Sequence, residues 1–121
     1  MHELAITDSI LKIALSEAEK AGAKRILTIH LKIGEMTTYV PDSVRFYFGI
    51  LSKGTMAEAA ELRIDSLPLL ASCKKCAQKF QVKNYRFVCS FCSSTELEII
   101  SGRELFIESL EVEKEELLPH L

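Results

Sequence analysis

The chain of 121 residues has only four cysteines, and no acidic residue falls between Asp65 and Glu96. No apolar run approaches the ~20 residues that a bilayer-spanning helix needs. Met1-His2-Glu3-Leu4 also lacks the basic start and apolar core of a secretion signal. Together these absences predict a cytoplasmic protein without membrane association. No glycine-rich phosphate loop is present, so any nucleotide hydrolysis belongs to a partner. The carboxylates, hydroxyls and three histidines form no nucleophile–base pattern, which argues against an enzyme. Internal repeats and low-complexity stretches are missing as well. Hydrophobic residues at 48% and charged residues at 26% suit one ordinary domain, or a small domain plus a metal-stapled module.

What is there begins with the cysteines. Cys73, Cys76, Cys89 and Cys92 form two CxxC pairs with twelve residues between them. A two-residue gap lets both thiolates of a pair face one ion from a tight turn. Two such turns complete a tetrahedral sulfur site suited to zinc. No cysteine is left over for a disulfide or a nucleophile, and a closed four-thiolate shell leaves no position for water. A redox pair of the thioredoxin kind would appear once, between a strand and a helix. Paired cysteines without export signals fit a reducing compartment. Ala77 and Ser93 stand where cysteine turns often carry glycine.

The acid-free stretch holds Lys74, Lys75, Lys79, Lys83 and Arg86, five of the 15 basic residues and none of the 17 acids. Four thiolates on a divalent ion leave this segment near about +3, on an otherwise acidic chain. A positive knob of this kind suits an acidic partner, although solvated lysines on a small module would read the same way. A nucleic-acid-binding zinc ribbon is the alternative, because Phe80, Tyr85, Phe87 and Phe91 interleave with the bases. A pI near 5.9 opposes it and favours a protein that binds no nucleic acid.

Periodicity predicts a helix over 4–21, with Leu4, Ile10, Leu11, Ala14, Leu15, Ala18 and Ala21 at helical spacing and Gly22 ending it. A strand follows over 24–33, placing Leu27, Ile29, Leu31 and Ile33 on one face and Lys24, Thr28, His30 and Lys32 on the other. Pro41 opens a second helix to about Ser52, with Val44, Tyr47, Phe48 and Leu51 as its core side. A second strand spans 61–67, and a third spans 103–112. The charged segment 113–121 is expected to fray. The fold class is therefore α+β: a small mixed three-stranded sheet with two helices on one face, plus an inserted zinc-ribbon module. The expected division is 1–68 with 101–121 as the main domain and 69–100 as the insertion. That insertion is too short to bury an adequate core alone. Phe80, Val82, Phe87, Val88 and Phe91 contribute what apolar surface it has.

A second metal site is conceivable at Met1-His2-Glu3. A bulky second residue keeps the initiator methionine, so a free amine precedes His2. That amine, the deprotonated His2 amide and the imidazole form fused chelate rings. Such flat nitrogen sets suit Ni(II) or Cu(II), not zinc, and Glu3 or a residue from elsewhere must add the fourth donor. His30, mid-strand on the polar face, and His120, in the charged tail, have no partner at metal-ligand spacing.

Taken together, several segments resemble the HypA family. They are the Met1-His2-Glu3 start with its helix, the Ile29-His30-Leu31-Lys32-Ile33-Gly34-Glu35 strand end, the two CxxC pairs, and the closing run Gly102-Arg103-Glu104-Leu105-Phe106-Ile107-Glu108-Ser109-Leu110-Glu111-Val112. The resemblance covers nearly the whole chain. It implies a nickel metallochaperone of [NiFe]-hydrogenase maturation, with nickel (transported) bound through His2 and with Glu3 beside it. It also implies structural zinc on the four cysteines, a GTPase partner HypB, and delivery to the hydrogenase large subunit. In some bacteria urease maturation is supplied too. Ser90 and Ser93 depart from the proline and glycine common in the family at those positions, and the tail beyond Val112 is not shared.

Overall fold

The computed structural model describes residues 2–114. Helix α1 (Glu3–Lys20) is followed by β1 (Ala23–Gly34), α2 (Pro41–Leu51) and β2 (Glu61–Leu67). Three short strands come next, β3 (Leu70–Cys73), β4 (Lys79–Gln81) and β5 (Leu97–Ser101), and β6 (Leu105–Lys114) closes the order. The expected α+β architecture is present, with two helices and a sheet in the order β2-β1-β6. Lys32 meets Asp65 and the Glu35 amide donates to the Leu67 carbonyl, so β1 and β2 advance together. Gly34 instead bonds to Glu104 while Arg25 pairs with Glu113, so β1 and β6 run in opposite senses and the sheet is mixed. Among the described residues no helix is long and apolar enough to cross a membrane.

The chain divides into two compact units, one made of 1–31, 39–64 and 106–121, the other of 32–38 and 65–105. In the first, α1 and α2 pack on each other. Ile10, Leu11, Ala14 and Ala18 are buried at helical spacing, with Val44 and Phe48 from α2 and Ile26, Ile29, Leu31 and Leu62 from the strands. The stripe on α1 departs from the sequence expectation at its start. Leu4 is 50% exposed, and Glu3 and Thr7 occupy the buried positions instead. The Glu3 carboxylate accepts the amide of Val40, the N-cap residue of α2, at 3.2 Å. A hydrogen-bonded carboxylate can be buried at little cost where a bare one cannot. On β1 the apolar stripe loses Leu27 to solvent, while Ile26 and Thr28 from the other face are buried. β1 is central in its sheet, and the Ile26 amide is tied to the Met56 carbonyl at 2.8 Å. The third strand runs on through Glu113 and Lys114, two residues expected to fray; 115–121 lies outside the described residues.

The second unit is built on an antiparallel sheet in the order β4-β3-β5. Ala71 of β3 faces Phe80 on one side and Ile99 on the other, with a bulge between Leu70 and Ala71. Leu69, Ala71 and Val82 form its buried core, and Met36, Phe80, Phe87, Leu97 and Ile99 pack around them. Met36 comes from the loop after β1, a contribution that spacing did not reveal. Val88 and Phe91, counted among the module's apolar residues, are exposed. The loop approaches closely enough that only glycine fits. A Cβ on Gly34 would overlap the Gly102 carbonyl group. Gly102 itself has φ +116 and lies against Leu69.

Gly34→Ala is therefore expected to lower unfolding stability by at least about 2 kcal/mol, since backbone must move. Gly49, inside α2 with open space around its missing Cβ, makes the control: Gly49→Ala should stabilise by roughly 0.5–1 kcal/mol. Denaturant unfolding of the two variants measures both, and equal effects would contradict the packing described.

Candidate metal centre

Each CxxC pair sits in a turn closed by the same two backbone hydrogen bonds. The Ala77 amide donates to the Cys73 carbonyl at 2.9 Å, and the Cys73 amide donates to Gln78 at 2.9 Å. In the second turn Ser93 donates to Cys89 at 2.9 Å, and Cys89 donates to Ser94 at 2.8 Å. Closing the turn this way forces the residue after the second cysteine into the left-handed region. Ala77 has φ 64 and Ser93 has φ 63, so both adopt the geometry without glycine. The hydrogen bond from Lys74 to the Glu96 carbonyl (2.9 Å) and the β3–β5 pairing hold the first turn beside the returning chain.

The two turns bring the four sulfurs within 4.8 Å of one another. Cys73 Sγ lies 3.6 Å from Cys92 Sγ, and Cys76 Sγ lies 3.6 Å from Cys89 Sγ. Disulfide sulfurs would sit at about 2.05 Å, so these are free thiols. A tetrahedron with metal–sulfur bonds of about 2.3 Å has an edge of about 3.8 Å, close to the spacing seen. The donor set fits a tetrahedral, thiolate-preferring ion. Cys73 and Cys89 are buried, Cys76 is half-buried and Cys92 is exposed.

The surroundings prepare two of the thiols for ionisation. The Cys76 amide points at Cys73 Sγ and brings that thiol down to about 6. Burial works against the Cys89 thiolate, but the amides of Cys92 and Phe91 outweigh it and lower this thiol too. The Gln78 backbone favours the Cys76 thiolate, yet burial and the sulfurs of Cys89, Cys73 and Cys92 push it up to about 12. Ser94 likewise favours the Cys92 thiolate, and Cys73, burial and Cys89 overcome it, so that thiol is raised. One low and one high thiol from each turn face each other across the site.

At the other candidate site, His2 is the N-cap residue of α1, with φ −103 and ψ 4. Its carbonyl accepts the Ile6 amide at 3.1 Å, while its imidazole makes no capping hydrogen bond and is exposed. Glu3 beside it is buried on Val40. Met1 lies outside the described residues. Of the other histidines, His30 is occupied on the sheet, with Nε2 3.4 Å from Glu111 Oε2, and His120 lies outside the described residues. Spacing did not expose Glu35, whose carboxylate accepts the Leu69 amide at 3.2 Å and whose carbonyl accepts the Tyr85 hydroxyl at 3.2 Å. Its only trace in the sequence is an acid directly after the strand-ending Gly34.

Residues 1–112 match a family model described as hydrogenase/urease nickel incorporation, metallochaperone, hypA. A hydrogenase maturation factor HypA of Dehalococcoides mccartyi strain 195 is 43% identical over 115 residues, covering 95% of this chain and 97% of the relative. One from Desulfatibacillum aliphaticivorans is 42% identical over 113 residues, covering 93% and 87%. Among solved structures, the solution structure of the Ni metallochaperone HypA from Helicobacter pylori aligns with a TM-score of 0.69 at 26% identity, over 95% of this chain and all (100%) of that one. A second HypA solution structure gives a TM-score of 0.72 at 26% identity, over 95% and 98%.

Two outcomes are expected at the sulfur site. At neutral pH metal binding must expel protons from at least Cys76 and Cys92, the raised thiols. Zinc affinity should then rise by at least about a hundredfold per pH unit near neutrality, as measured by chelator competition; a pH-independent affinity would contradict the proton inventory. Ala77→Gly should stabilise the zinc-loaded protein by about 0.5–1 kcal/mol, because a left-handed residue with a Cβ costs ~1–2 kcal/mol and added chain freedom returns part of it. Thermal unfolding reads the shift.

Proposed function

The chain belongs to the HypA family of nickel-incorporation metallochaperones, and from that premise we propose that it carries Ni(II) at Met1, His2 and Glu3 to the large subunit of a [NiFe]-hydrogenase. It is a maturation factor and not an enzyme. The observation that carries the nickel assignment is the exposed His2 imidazole, without a capping bond, at the root of α1. Directly behind it, Glu3 is clamped to α2 through Val40. The terminal amine, the His2 amide nitrogen and the imidazole are the nitrogen donors, and Glu3 fixes the direction in which they leave the helix. A set with so few buried ligands exchanges its cargo readily, which transport requires.

The cysteines serve differently. Cys73, Cys76, Cys89 and Cys92 are proposed to hold structural zinc in the inserted module 69–100, leaving 1–68 and 101–121 as the nickel-carrying part. Zinc, when bound, supplies a fixed tetrahedral crosslink, and with four sulfurs around it no position remains open to water. The amides aimed at Cys73 and Cys89 favour the charged sulfurs that such an ion needs. The proposed partners are the GTPase HypB, which supplies the nucleotide chemistry that this chain lacks, the hydrogenase large subunit, and urease maturation proteins where urease is made. Handover takes place in the cytoplasm on this reading.

His2→Ala should abolish nickel binding and hydrogenase maturation while leaving zinc content and the circular dichroism spectrum unchanged. An extra residue before Met1 should weaken nickel as well, by moving the amine. Nickel affinity should fall as pH drops, because amine, amide and imidazole must all lose protons. Metal analysis of untagged protein after nickel loading checks these points; nickel retained in both variants would refute the site. Cys73→Ser, in turn, should lose zinc and the hydrogen-exchange protection of 65–105, since structural zinc contributes an apparent ~10–16 kcal/mol in small modules.

A further inference from the structure

Between the second cysteine turn and β4 lies an open cleft of about 620 Å³, lined by Phe80, Gln81, Lys83, Arg86, Val88, Cys89, Ser90 and Ser93. Its lining contains two cations and no acid. In sequence, Asp65 and Glu96 are the nearest acidic residues on its two sides. We propose that this cleft is a receptor for an acidic peptide segment of a partner protein, taking a glutamate or aspartate on Lys83 and Arg86 and the aliphatic residue next to it on Phe80 and Val88.

The backbone between the two cations carries the inference. The Arg86 amide donates to the Lys83 carbonyl at 3.1 Å, and the residues between them, Asn84 and Tyr85, have φ 54 and 55. Positive φ at both central positions is the type I′ arrangement. Asparagine accepts it readily, whereas a bulky tyrosine is strained there. Two contacts hold the tyrosine in place: its hydroxyl donates to the Glu35 carbonyl at 3.2 Å, and its ring tilts against Phe87 with centroids 6.3 Å apart. The tyrosine is otherwise exposed, so burial does not explain its conformation. The tight turn sets Lys83 and Arg86, its first and last residues, side by side on the cleft. Strain maintained by such anchoring accompanies functional positions.

The chemistry selects a carboxylate over a phosphate. No helix falls within 65–105 to offer an N-terminus, and no glycine loop there supplies converging amides. What the lining offers is one planar guanidinium fork, one ammonium, the Gln81 amide and the hydroxyls of Ser90 and Ser93. An arginine fork matches a carboxylate with two parallel hydrogen bonds. The apolar part of the lining, Phe80 and exposed Val88, has no use for a free inorganic anion. This assignment is independent of nickel transport and requires only the folded module.

The test uses zinc-loaded full-length protein and a fluorescein-labelled Gly-Glu-Glu-Leu-Glu-Gly peptide at low salt. Anisotropy should rise saturably, weaken as salt is added, and vanish when glutamines replace the peptide's glutamates. The double variant Lys83→Gln/Arg86→Gln should bind about tenfold more weakly, with zinc content unchanged. Lys53→Gln, at an exposed lysine outside the cleft lining, should bind within about twofold of the parent. Amide shifts on peptide addition should centre on Lys83, Arg86, Ser90 and Ser93. Equal binding by parent and double variant, an equal loss in Lys53→Gln, shifts elsewhere on the protein, or displacement of the peptide by inorganic phosphate or duplex DNA would each overturn the proposal.

Discussion

Four sulfurs drawn within 4.8 Å of one another are the constraint on which the second unit depends. Its buried core is three side chains, Leu69, Ala71 and Val82, with a partly covered ring around them. That is too little apolar area to fix a chain of this length against conformational entropy. The proposed zinc crosslink, joining the β3 end to the segment before β5, would remove most of that freedom. The matching pattern of the two turns, down to the left-handed Ala77 and Ser93, shows local backbone geometry yielding to the demands of the sulfurs.

The first unit meets the same problem by ordinary means. Its helices bury apolar stripes, and its central strand is fully enclosed at Ile26, Ile29 and Leu31. Polar groups enter this core unevenly: the buried Thr7 and Ser52 hydroxyls have no hydrogen-bond partner, whereas Glu3 has one. Glu3 is the instructive case, because a carboxylate at 5% exposure in the first turn of a helix would be costly without the Val40 amide. The contact joins the beginnings of α1 and α2, and it steadies the residue from which His2 projects.

Much of this was legible in the sequence. Periodicity located both helices and the three long strands to within two residues, because apolar residues recur on one side of each and a glycine or proline stands near an end. The CxxC spacing located the sulfur site, since the reach of a two-residue turn is fixed by covalent geometry. What stayed hidden was tertiary. Glu3 and Thr7 displace Leu4 from the buried stripe of α1, and no helical period distinguishes a satisfied carboxylate from an exposed one. Met36 joins a core far along the chain, and Tyr85 bonds to Glu35 fifty residues away. Val88 and Phe91 are apolar yet exposed, because a short module has less interior than it has apolar residues.

The sulfurs are unequally sheltered, with Cys73 and Cys89 enclosed and Cys92 open to solvent. Replacement of one ligand at a time is the ordinary route by which a tetrahedral ion leaves its shell, so dissociation should begin at that corner. Peroxide, competing thiols and heavier ions arrive there first as well. With zinc held there as proposed, the lifetime of the module would be governed by a single sulfur at its rim, and a larger side chain grown over Cys92 would lengthen it.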